Sequence, residues 1–555
     1  MSFIAERGPL LMPGKVARAV SLVMLGYWGL YALLTPVTNF DSQTYNLARL
    51  ALAERHGFFG NPYWTSAWQV MHPWSFDAVH LPSLWLGWGH ALPSFACFVG
   101  LCVITFRMVR STVGGTAAWC SLLGLLALPC LVYQATSTKN DLAVVFFFAV
   151  WGYAYWRWTI ERRRRHLVWM VLAIGCLAGA KITGALYSVG CALWTMKVVW
   201  RDRKLTAWVL GGLGLSLVLF GSVETYVECQ RYFEHPLGPK RLVAQLGNRD
   251  GWRGGLANLS RYTAGSLYLG QSEWGPSTRA ITAVANAERA VLERAGLSDA
   301  GASVFCQDRN LFFFQSGFEE LSGFGPFGTV GLCIAVAALV RWRPREAWWR
   351  LAIGASVVLV VLSLTVGYAI WNNRYLIGPF ALTTIACVFL LWGGDGRARE
   401  WLRGVFVALA TLCAISAPLM SFNRTPASLV RAVTDRRAFE TCMVPAVGAV
   451  REILNELCAA TPDCRIAVGT TNDSPILHYL TDESLDVSFF ARAALPSMLE
   501  SGVLRTGDLV ILDDAVEHPT LVLVAAVWAP RVVNRASATG KAPPIGRHVY
   551  RYQRE

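Results

Sequence analysis

The sequence predicts a polytopic α-helical membrane protein with about eleven transmembrane helices, interfacial helices in its first outer loop and a small C-terminal α/β domain. Of its 555 residues, 54% are hydrophobic and only 15% are charged, whereas soluble domains carry about 25% charged residues. Long apolar runs recur as far as residue 420, and beyond that point strand and helix patterns alternate, which is typical of an α/β fold. We therefore expect a membrane domain over 1–420 and a second domain over 421–555.

Eleven segments have low charge and read as membrane spans, and several of them, such as 167–180, are short for a hydrocarbon core about 30 Å thick. An odd number of spans places the two termini on opposite sides of the membrane. The predicted spans are 19–35, 91–106, 113–135, 141–156, 167–180, 182–196, 205–223, 327–340, 351–370, 376–392 and 404–420.

The distribution of Lys and Arg orients the chain. Six alternate connections hold 21 of these residues. The connections on the other side, apart from the segment 224–327, hold five: Arg49, Arg55, Lys139, Lys181 and Arg374. Because basic residues stay on the cytoplasmic side, the N-terminus is expected in the cytoplasm of a bacterial cell. The long loops 36–90 and 224–327 and the C-terminal domain are then periplasmic or extracellular, on the outer side of the inner membrane.

The net charge of +14 belongs to the membrane part of the chain. Residues 421–555 hold 14 Lys and Arg against 15 Asp and Glu, a net of −1. The excess is explained by the cytoplasmic connections and by their attraction to anionic lipid headgroups. This pattern excludes a nucleic-acid partner and makes membrane lipids the expected neighbours of the basic surface.

The first outer loop is long and aromatic but contains no span. Helices are expected at 42–56, where Tyr45 and Ala48 share a face, and at 76–88, with a turn region at 57–73 between them. Apolar surface continues round the first helix, which is typical of a helix lying in the membrane interface. Such a loop suits an enzyme acting on a lipid-linked substrate better than it suits a transporter or an anchor.

The second long loop contains an amphipathic helix at 280–295.

Cys458 and Cys464, six residues apart, are the pair best placed for a disulfide, which an oxidising compartment allows. No glycine-rich phosphate loop and no catalytic triad spacing occur in the C-terminal region, so the sequence assigns it no activity. Its expected strands are 465–469, 485–490, 508–512, 520–528 and 547–552, and its expected helices are 444–458, 474–480 and 493–502.

Four ionisable residues at the ends of predicted spans are candidates for chemistry, because charges at membrane depth are costly. They are Asp41, Asp141, Lys181 and Arg374. Each has a simpler interpretation, a helix N-cap for the two aspartates and a cation reaching towards water for the other two. All four fall on the outer face in the orientation above. A carboxylate there can take a proton from an acceptor while the cations hold a leaving phosphate.

Five segments, in order, resemble the GT-C superfamily of polyprenyl-phosphate-sugar glycosyltransferases. The similar group lies around family 39, which holds protein O-mannosyltransferases and the aminoarabinose transferase of lipid A. The similarity covers about residues 17–392. The segments are DSQTYNLARL (41–50), HLPSLWL (80–86), STKNDLAVVFFFAVWGYAYW (137–156), LAIGCLAGAKITGAL (172–186) and NRYLIGPFAL (373–382).

The resemblance implies inverting transfer of a sugar from a polyprenyl-phosphate carrier to an acceptor glycan, lipid or protein at the outer face. Asp41 matches the catalytic acid of the first loop, and many family members have a second acid where this chain has Ser42. The metal ligands of the aminoarabinose branch have no clear match, which leaves a divalent metal open and no cofactor certain. The other expected roles are phosphate binding by Lys181, Arg374 and Tyr375, orientation by Asp141 and Tyr45, and acceptor-side contacts by His72, Asp77 and His80.

Three other functions stay open. A transporter or flippase for lipid-linked glycans predicts inverted repeats, broken helices and charges in mid-span, whereas the ionisable residues here lie at span ends. A catalytically inactive assembly subunit would share every feature above. A polymerase resembling the O-antigen ligases, with a pyrophosphate carrier, would use basic residues of the second long loop, which offers Arg231, Lys240, Arg241, Arg249 and Arg253.

Overall fold

The computed structural model describes most of the membrane part and the strands of the C-terminal part. The described residues are 11–435 except 38–40, 62–66, 266–274, 303–323, 326, 329, 332–358 and 422–423, followed by 454, 456–458, 464–470, 486–491, 495–496, 499, 504, 508–512, 521–529 and 545–552.

Helices dominate the chain as far as residue 434. They are α1 (Leu11–Leu34), α2 (Leu47–His56), α3 (Ala67–Met71), α4 (Leu81–Leu86), α5 (Leu92–Thr112), α6 (Gly115–Leu126), α7 (Pro129–Ala135), α8 (Asp141–Glu161), α9 (Arg164–Ala180), α10 (Ile182–Val199), α11 (Arg203–Phe220), α12 (Val223–Phe233), α13 (Lys240–Leu246), α14 (Gly251–Gly265), α15 (Gly275–Arg294), α16 (Ile377–Trp392), α17 (Arg397–Met420) and α18 (Pro426–Thr434). Shorter helical turns lie at Ser42–Asn46, Asp77–His80 and Ile370–Leu376. The amphipathic helix expected in the second long loop is confirmed as α15.

Six of the described helices are long and apolar enough to cross a membrane: α1 from Pro13, α5, α10, α11, α16 with the turn before it, and α17. The spans predicted at 141–156 and 167–180 correspond to α8 and α9, which are not among these six. The span predicted at 327–340 falls largely outside the described residues. Of the span predicted at 351–370, residues 359–365 are helical, whereas Val366 and Tyr368 form isolated β-bridges with Gly247 and Ala302, so the helix ends before residue 366. The protein is therefore a polytopic helical membrane protein, and the count of eleven spans stays a prediction.

The span predicted at 113–135 is divided into two helices. α6 and α7 meet at an angle of 79°. Leu128 between them is extended, with φ −98° and ψ 100°, because a residue before proline avoids the helical conformation. Pro129 then starts α7, where its missing N–H does no harm. The break directs the chain into the segment 136–140, which is buried throughout and carries part of the site described below.

The membrane helices share one large apolar core in which Trp28, Phe98 and Tyr133 are almost fully buried. Two of the helices approach closely through glycine. A Cβ atom added at Gly179 of α9 would lie 1.7 Å from the carbonyl oxygen of Phe220 at the end of α11. Small residues four apart are the usual means of close helix contact in membranes, and Gly175, one turn earlier, meets α11 at Ser216 in the same way.

Five strands form one mixed sheet: β1 (Arg465–Thr470), β2 (Asp486–Ala491), β3 (Leu509–Leu512), β4 (Leu521–Ala529) and β5 (Ile545–Tyr552). Their order is β2-β1-β3-β5-β4. β1 runs parallel to β2 and β3, and β5 runs antiparallel to β3 and β4. Cys458 and Cys464 form a disulfide, as predicted. The helices expected at 444–458, 474–480 and 493–502 fall largely outside the described residues.

The C-terminal sheet covers α2. All residues from Leu47 to Leu52 are buried, and the apolar ones share a cluster with Leu454, Ile466, Leu509 and Ile511. The apolar surface of α2, which its sequence pattern assigns to the membrane interface, is therefore covered by protein. The reason is that a partner some 400 residues later in the chain leaves no local signal in the pattern. α4 differs, because its Trp85 and Leu86 are exposed.

Candidate active site

Asp41 lies at the beginning of the helical turn Ser42–Asn46, but its side chain does not cap that turn. Its Oδ2 accepts a hydrogen bond from Arg374 Nη1 at 2.5 Å and pairs with Lys139 Nζ at 3.0 Å. The side chain of Tyr45 is hydrogen bonded to the same carboxylate. The residue is 8% exposed. Asp41 therefore belongs to a buried ion-pair network and is not a helix cap.

Asp141 opens α8 and forms the second carboxylate of the network. Its Oδ1 accepts a hydrogen bond from Lys181 Nζ at 2.7 Å. Its Oδ2 lies 3.8 Å from Arg374 Nε, too far for a hydrogen bond. Within the described part of the chain, neither Oδ2 nor this Nε has a hydrogen-bond partner. Arg374 is thus bonded to Asp41 and faces Asp141 across a gap.

Lys181 and Arg374 turn into the protein, and only 9% of each side chain is exposed. Lys181 occupies the extended corner between α9 and α10, and Arg374 lies on the turn before α16. Both cations are placed over the Tyr375 ring, with Lys181 Nζ at 4.9 Å and Arg374 Cζ at 5.6 Å from its centre. Neither reaches towards water, so the simpler interpretation of these two residues does not apply.

Lys139 joins the network although nothing in the sequence distinguishes it from the other basic residues of the outer connections. It lies in the buried segment 136–140 and is 2% exposed. Its neighbour Thr138 contacts Ser42 through their hydroxyl groups, and the Thr138 carbonyl accepts from Asn46 Nδ2 at 3.0 Å. The signal that could have identified Lys139 is its place two residues before Asp141, in the same turn.

The charges of the network keep Asp41 ionised. Burial raises the pKa of its carboxyl, but the positive charges of Lys139 and Arg374 outweigh that effect and hold the pKa well below its usual range. The hydrogen bond with Tyr45 acts in the same direction. With both aspartates ionised, Asp41, Asp141, Lys139, Lys181 and Arg374 carry a net charge of +1.

His72 adjoins the network through an aromatic stack. Its ring lies 5.1 Å from that of Tyr45 and 5.5 Å from that of Trp68, nearly parallel to both. Burial, together with the positive charges of Lys181 and Arg49, lowers the pKa of His72 to about 3. The imidazole is therefore neutral at physiological pH. Of the three acceptor-side candidates, His72 is the one that stacks on Tyr45, and the Tyr45 side chain is hydrogen bonded to Asp41.

Asp77 and His80 are bonded to residues other than those of the ion-pair network. Asp77 pairs with Arg49 and accepts from Asn140 Nδ2 at 2.7 Å. His80 Nδ1 lies 2.7 Å from the carbonyl oxygen of His90, and burial lowers the pKa of its imidazole to about 4. These contacts tie the loop to the helices, and the structure does not bring either side chain into contact with Asp41.

Arg49 organises the first loop and did not stand out in the sequence. It is 1% exposed. Besides its ion pair with Asp77, it donates to the carbonyls of Gln69 at 3.2 Å, Pro73 at 3.1 Å and His72. A single buried arginine therefore fixes the backbone that carries His72.

The donor set of the site does not fit a divalent metal. Among the described residues, no three His, Cys, Asp or Glu side chains are grouped so that they could hold one. Asp41 and Asp141 each pair with a cationic side chain, through Asp41 Oδ2 and Asp141 Oδ1, and the three cations beside them would repel a metal ion.

No protein family matches the sequence, and no curated protein does. Two solved structures resemble the chain along nearly its whole length. The crystal structure of ArnT from Cupriavidus metallidurans bound to undecaprenyl phosphate has a TM-score of 0.51 and 13% sequence identity, over 96% of this chain and 97% of that one. The crystal structure of ArnT in the apo state has a TM-score of 0.49 and 14% identity over the same shares.

At this identity the first of these similarities shows the fold alone. The fold it shows agrees with the buried, multi-helical architecture described above. Over 96% of its length, the chain shares the fold of ArnT.

Proposed function

We propose that the protein is a membrane glycosyltransferase that moves a sugar from a polyprenyl-phosphate carrier to an acceptor, with inversion, at the outer face of a bacterial inner membrane. The N-terminus is cytoplasmic, residues 1–420 form the transferase domain and 421–555 form an outer domain. Asp41 is the general base. Phosphate binding falls to Lys181, Arg374 and Tyr375, and orientation to Tyr45 and Asp141.

The observation that carries the proposal is the way Arg374 joins Asp41 to Asp141. A buried donor without an acceptor costs about 1–3 kcal/mol. Since Arg374 Nε has no hydrogen-bond partner among the residues that the structure describes, it supports a place for a ligand oxygen. Guanidinium groups suit phosphate in particular. Lys181, with three donors on its ammonium, lies over the same Tyr375 ring. A phosphate held there would lie beside the Asp41 carboxylate, and the solved complex of ArnT with undecaprenyl phosphate supports a polyprenyl phosphate as the ligand.

The net charge of the network favours a monophosphate-linked donor. A sugar joined to a polyprenyl carrier through one phosphate carries a single negative charge, which balances the +1 of the five linked side chains. A diphosphate-linked donor would leave an excess negative charge in a buried site, where uncompensated charge is costly. The same count therefore weighs against a polymerase with a pyrophosphate carrier.

In the proposed reaction, the acceptor hydroxyl gives its proton to Asp41 and its oxygen bonds to the anomeric carbon of the sugar. The bond from that carbon to the phosphate oxygen breaks, and the electron pair stays on the oxygen. The leaving polyprenyl phosphate gains one negative charge while Asp41 loses one. Lys181 and Arg374 stabilise the charge that develops on the phosphate.

Two structural observations bear on the alternative functions. Arg249 and Arg253 of the second long loop are exposed and donate to carbonyls of that same loop, Ala244 and Gly296, both at 2.9 Å. Neither arginine is paired with Asp41 or Asp141 in the described part of the chain, which does not favour a polymerase that relies on these two residues. The break between α6 and α7 is a feature that a transporter would share. The ion pairs described here nevertheless lie at helix ends and corners, which favours the transferase.

Transfer from a synthetic polyprenyl-phosphate sugar, measured in detergent with the purified chain, tests the assignment of Asp41. Asp41→Asn is expected to reduce turnover by a factor of about 10²–10⁴, the usual contribution of a general base. Asp395→Asn, at an aspartate whose side chain is 91% exposed, is the matched control and should retain full turnover. Normal turnover of Asp41→Asn would refute the assigned base. Mass spectrometry of envelope glycans from cells with and without the gene identifies the sugar and the acceptor.

A further inference from the structure

Asp41 as it stands in this structure is a poor base. Both of its ion pairs meet at Oδ2, one with Arg374 and one with Lys139. A carboxylate clamped by two cations gains little from accepting a proton, since protonation discards both attractions. General-base catalysis needs a group whose proton affinity suits the working pH. At least one of these two ion pairs must therefore be weakened before Asp41 can act as a base.

Arg374 is the cation that a ligand can draw away. It reaches Asp41 from a segment more than 300 residues distant, the turn Ile370–Leu376. Its Nε lacks a hydrogen-bond partner within the described residues, so the arginine is only partly satisfied where it is. A phosphate between Arg374 and Lys181 would offer the guanidinium two oxygens in the parallel geometry that it binds best.

Lys139 is the cation that stays. It belongs to the segment that is tied directly to the turn carrying Asp41, through Ser42 with Thr138 and through Asn46 with the Thr138 carbonyl. Its own backbone is fixed as well, because Lys139 N donates to Ser137 Oγ at 3.3 Å and Ser94 Oγ donates to the Lys139 carbonyl at 3.5 Å. The backbone of Lys139 is therefore fixed relative to the turn that carries Asp41.

We propose that Lys139 is a positioning residue that holds the Asp41 carboxylate in place while the donor phosphate draws Arg374 away, so that arrival of the donor is what frees the base. This inference rests on the proposed function. It explains why, in the free protein, the negative charge of Asp41 is balanced by two cations. It also makes proton uptake by Asp41 depend on a bound phosphate.

The charges balance through the step. With a monophosphate donor bound, three cations face two carboxylates and one phosphate charge, a net of zero. When the acceptor proton reaches Asp41 and the carbon–oxygen bond to phosphate breaks, the phosphate carries two negative charges and Asp41 none. The net is again zero, so Lys139 must be present both before and after transfer for the buried site to stay neutral.

The test follows the protonation of Asp41 without needing the acceptor. A hydrophobic carbodiimide reacts with protonated carboxyl groups, and peptide mass spectrometry gives the pH at which half of Asp41 is modified in the purified full chain. Undecaprenyl phosphate is the probe, and its binding is followed separately by thermal stabilisation. In the wild type, the probe is expected to raise the midpoint by about 1 to 3 pH units, the usual effect of losing one nearby cation.

Three variants sharpen the experiment. Lys139→Met is expected to raise the midpoint in the absence of the probe, whereas Lys139→Arg, which keeps the charge, should match the wild type. Lys240→Met, at an exposed lysine of the second long loop, is the control and should also match. The inference is overturned if the probe binds and the wild-type midpoint does not move, or if Lys139→Met leaves it unchanged. Absence of probe binding would instead overturn the proposed donor class, and the gating step with it.

Discussion

Arg49 shows how much of the candidate site depends on one residue outside the ion-pair network. Its guanidinium donates to three carbonyls of the first loop and pairs with Asp77. Arginine suits this task because its donors are fixed in a plane and it keeps its charge when buried. The loop that carries His72 is therefore held by side chain–backbone bonds where regular secondary structure is scarce.

Replacing Arg49 with Met should be strongly destabilising, because it leaves the Asp77 carboxylate buried without its cation. The expected loss is about 3–5 kcal/mol, seen as a lower melting temperature in detergent. Adding Asp77→Asn should restore part of the loss, since it removes the stranded charge. Arg294→Met, at an exposed arginine in the last turn of α15, is the control. An Arg49→Met variant as stable as this control would contradict the role assigned to Arg49.

The sequence predicts the participants of the site only in part, and the reason is physical. Asp41, Asp141, Lys181 and Arg374 stand out because a charge at the end of an apolar run is unusual, and the structure brings all four together. Lys139 and Arg49 lie in polar or mixed segments where a basic residue is ordinary. Only their burial distinguishes them, and burial depends on contacts made elsewhere in the chain.

At the level of elements, the corner that presents Lys181 depends on glycine. α9 ends at Ala180, directly after Gly179, whose Cα faces the carbonyl end of α11. The Gly179 carbonyl also accepts a hydrogen bond from Ser222 Oγ at 3.3 Å. The position of Lys181 is therefore set by how closely two helices can approach, which an apolar span pattern alone does not reveal.

Gly179→Ala should displace this corner, since the added methyl group would lie 1.7 Å from a backbone oxygen that cannot move without its helix. We expect a cost of about 1–3 kcal/mol, as for other insertions into a packed interior. We also expect weaker binding of undecaprenyl phosphate, measured by thermal stabilisation. Gly190→Ala in α10 is the matched control, because nothing lies within 4 Å of the added Cβ. Equal behaviour of the two variants would show that the close contact is unimportant.

At the level of the whole molecule, the last part of the chain completes the first loop. α2 contributes Leu47, Leu50 and Leu52 to a cluster with Ile466 of β1 and Ile511 of β3. Helices and strands can be located from local periodicity, but this pairing cannot, because the sequence pattern of α2 fits a membrane surface equally well. The C-terminal sheet is thus a structural support for the element that follows Asp41.

Ile511→Ala should loosen that support. Ile511 is 1% exposed, and removal of a buried isoleucine side chain costs about 2–5 kcal/mol. We expect a lower melting temperature and a weaker response to undecaprenyl phosphate, because α2 carries the turn of Asp41 with it. Leu523→Ala on β4, at a position 52% exposed, should have little effect. If Ile511→Ala leaves the response to undecaprenyl phosphate unchanged, the sheet does not support the candidate site.

The covering of α2 by the C-terminal sheet also has a consequence for biogenesis. About 400 residues separate α2 from β1, which at about 5–20 residues per second is roughly 20 to 80 s of synthesis on the ribosome. During that interval α2 has no β1 or β3 to pack against. A nascent chain therefore buries the apolar surface of α2 only after its last strands have been made, and until then the turn that carries Asp41 lacks this support.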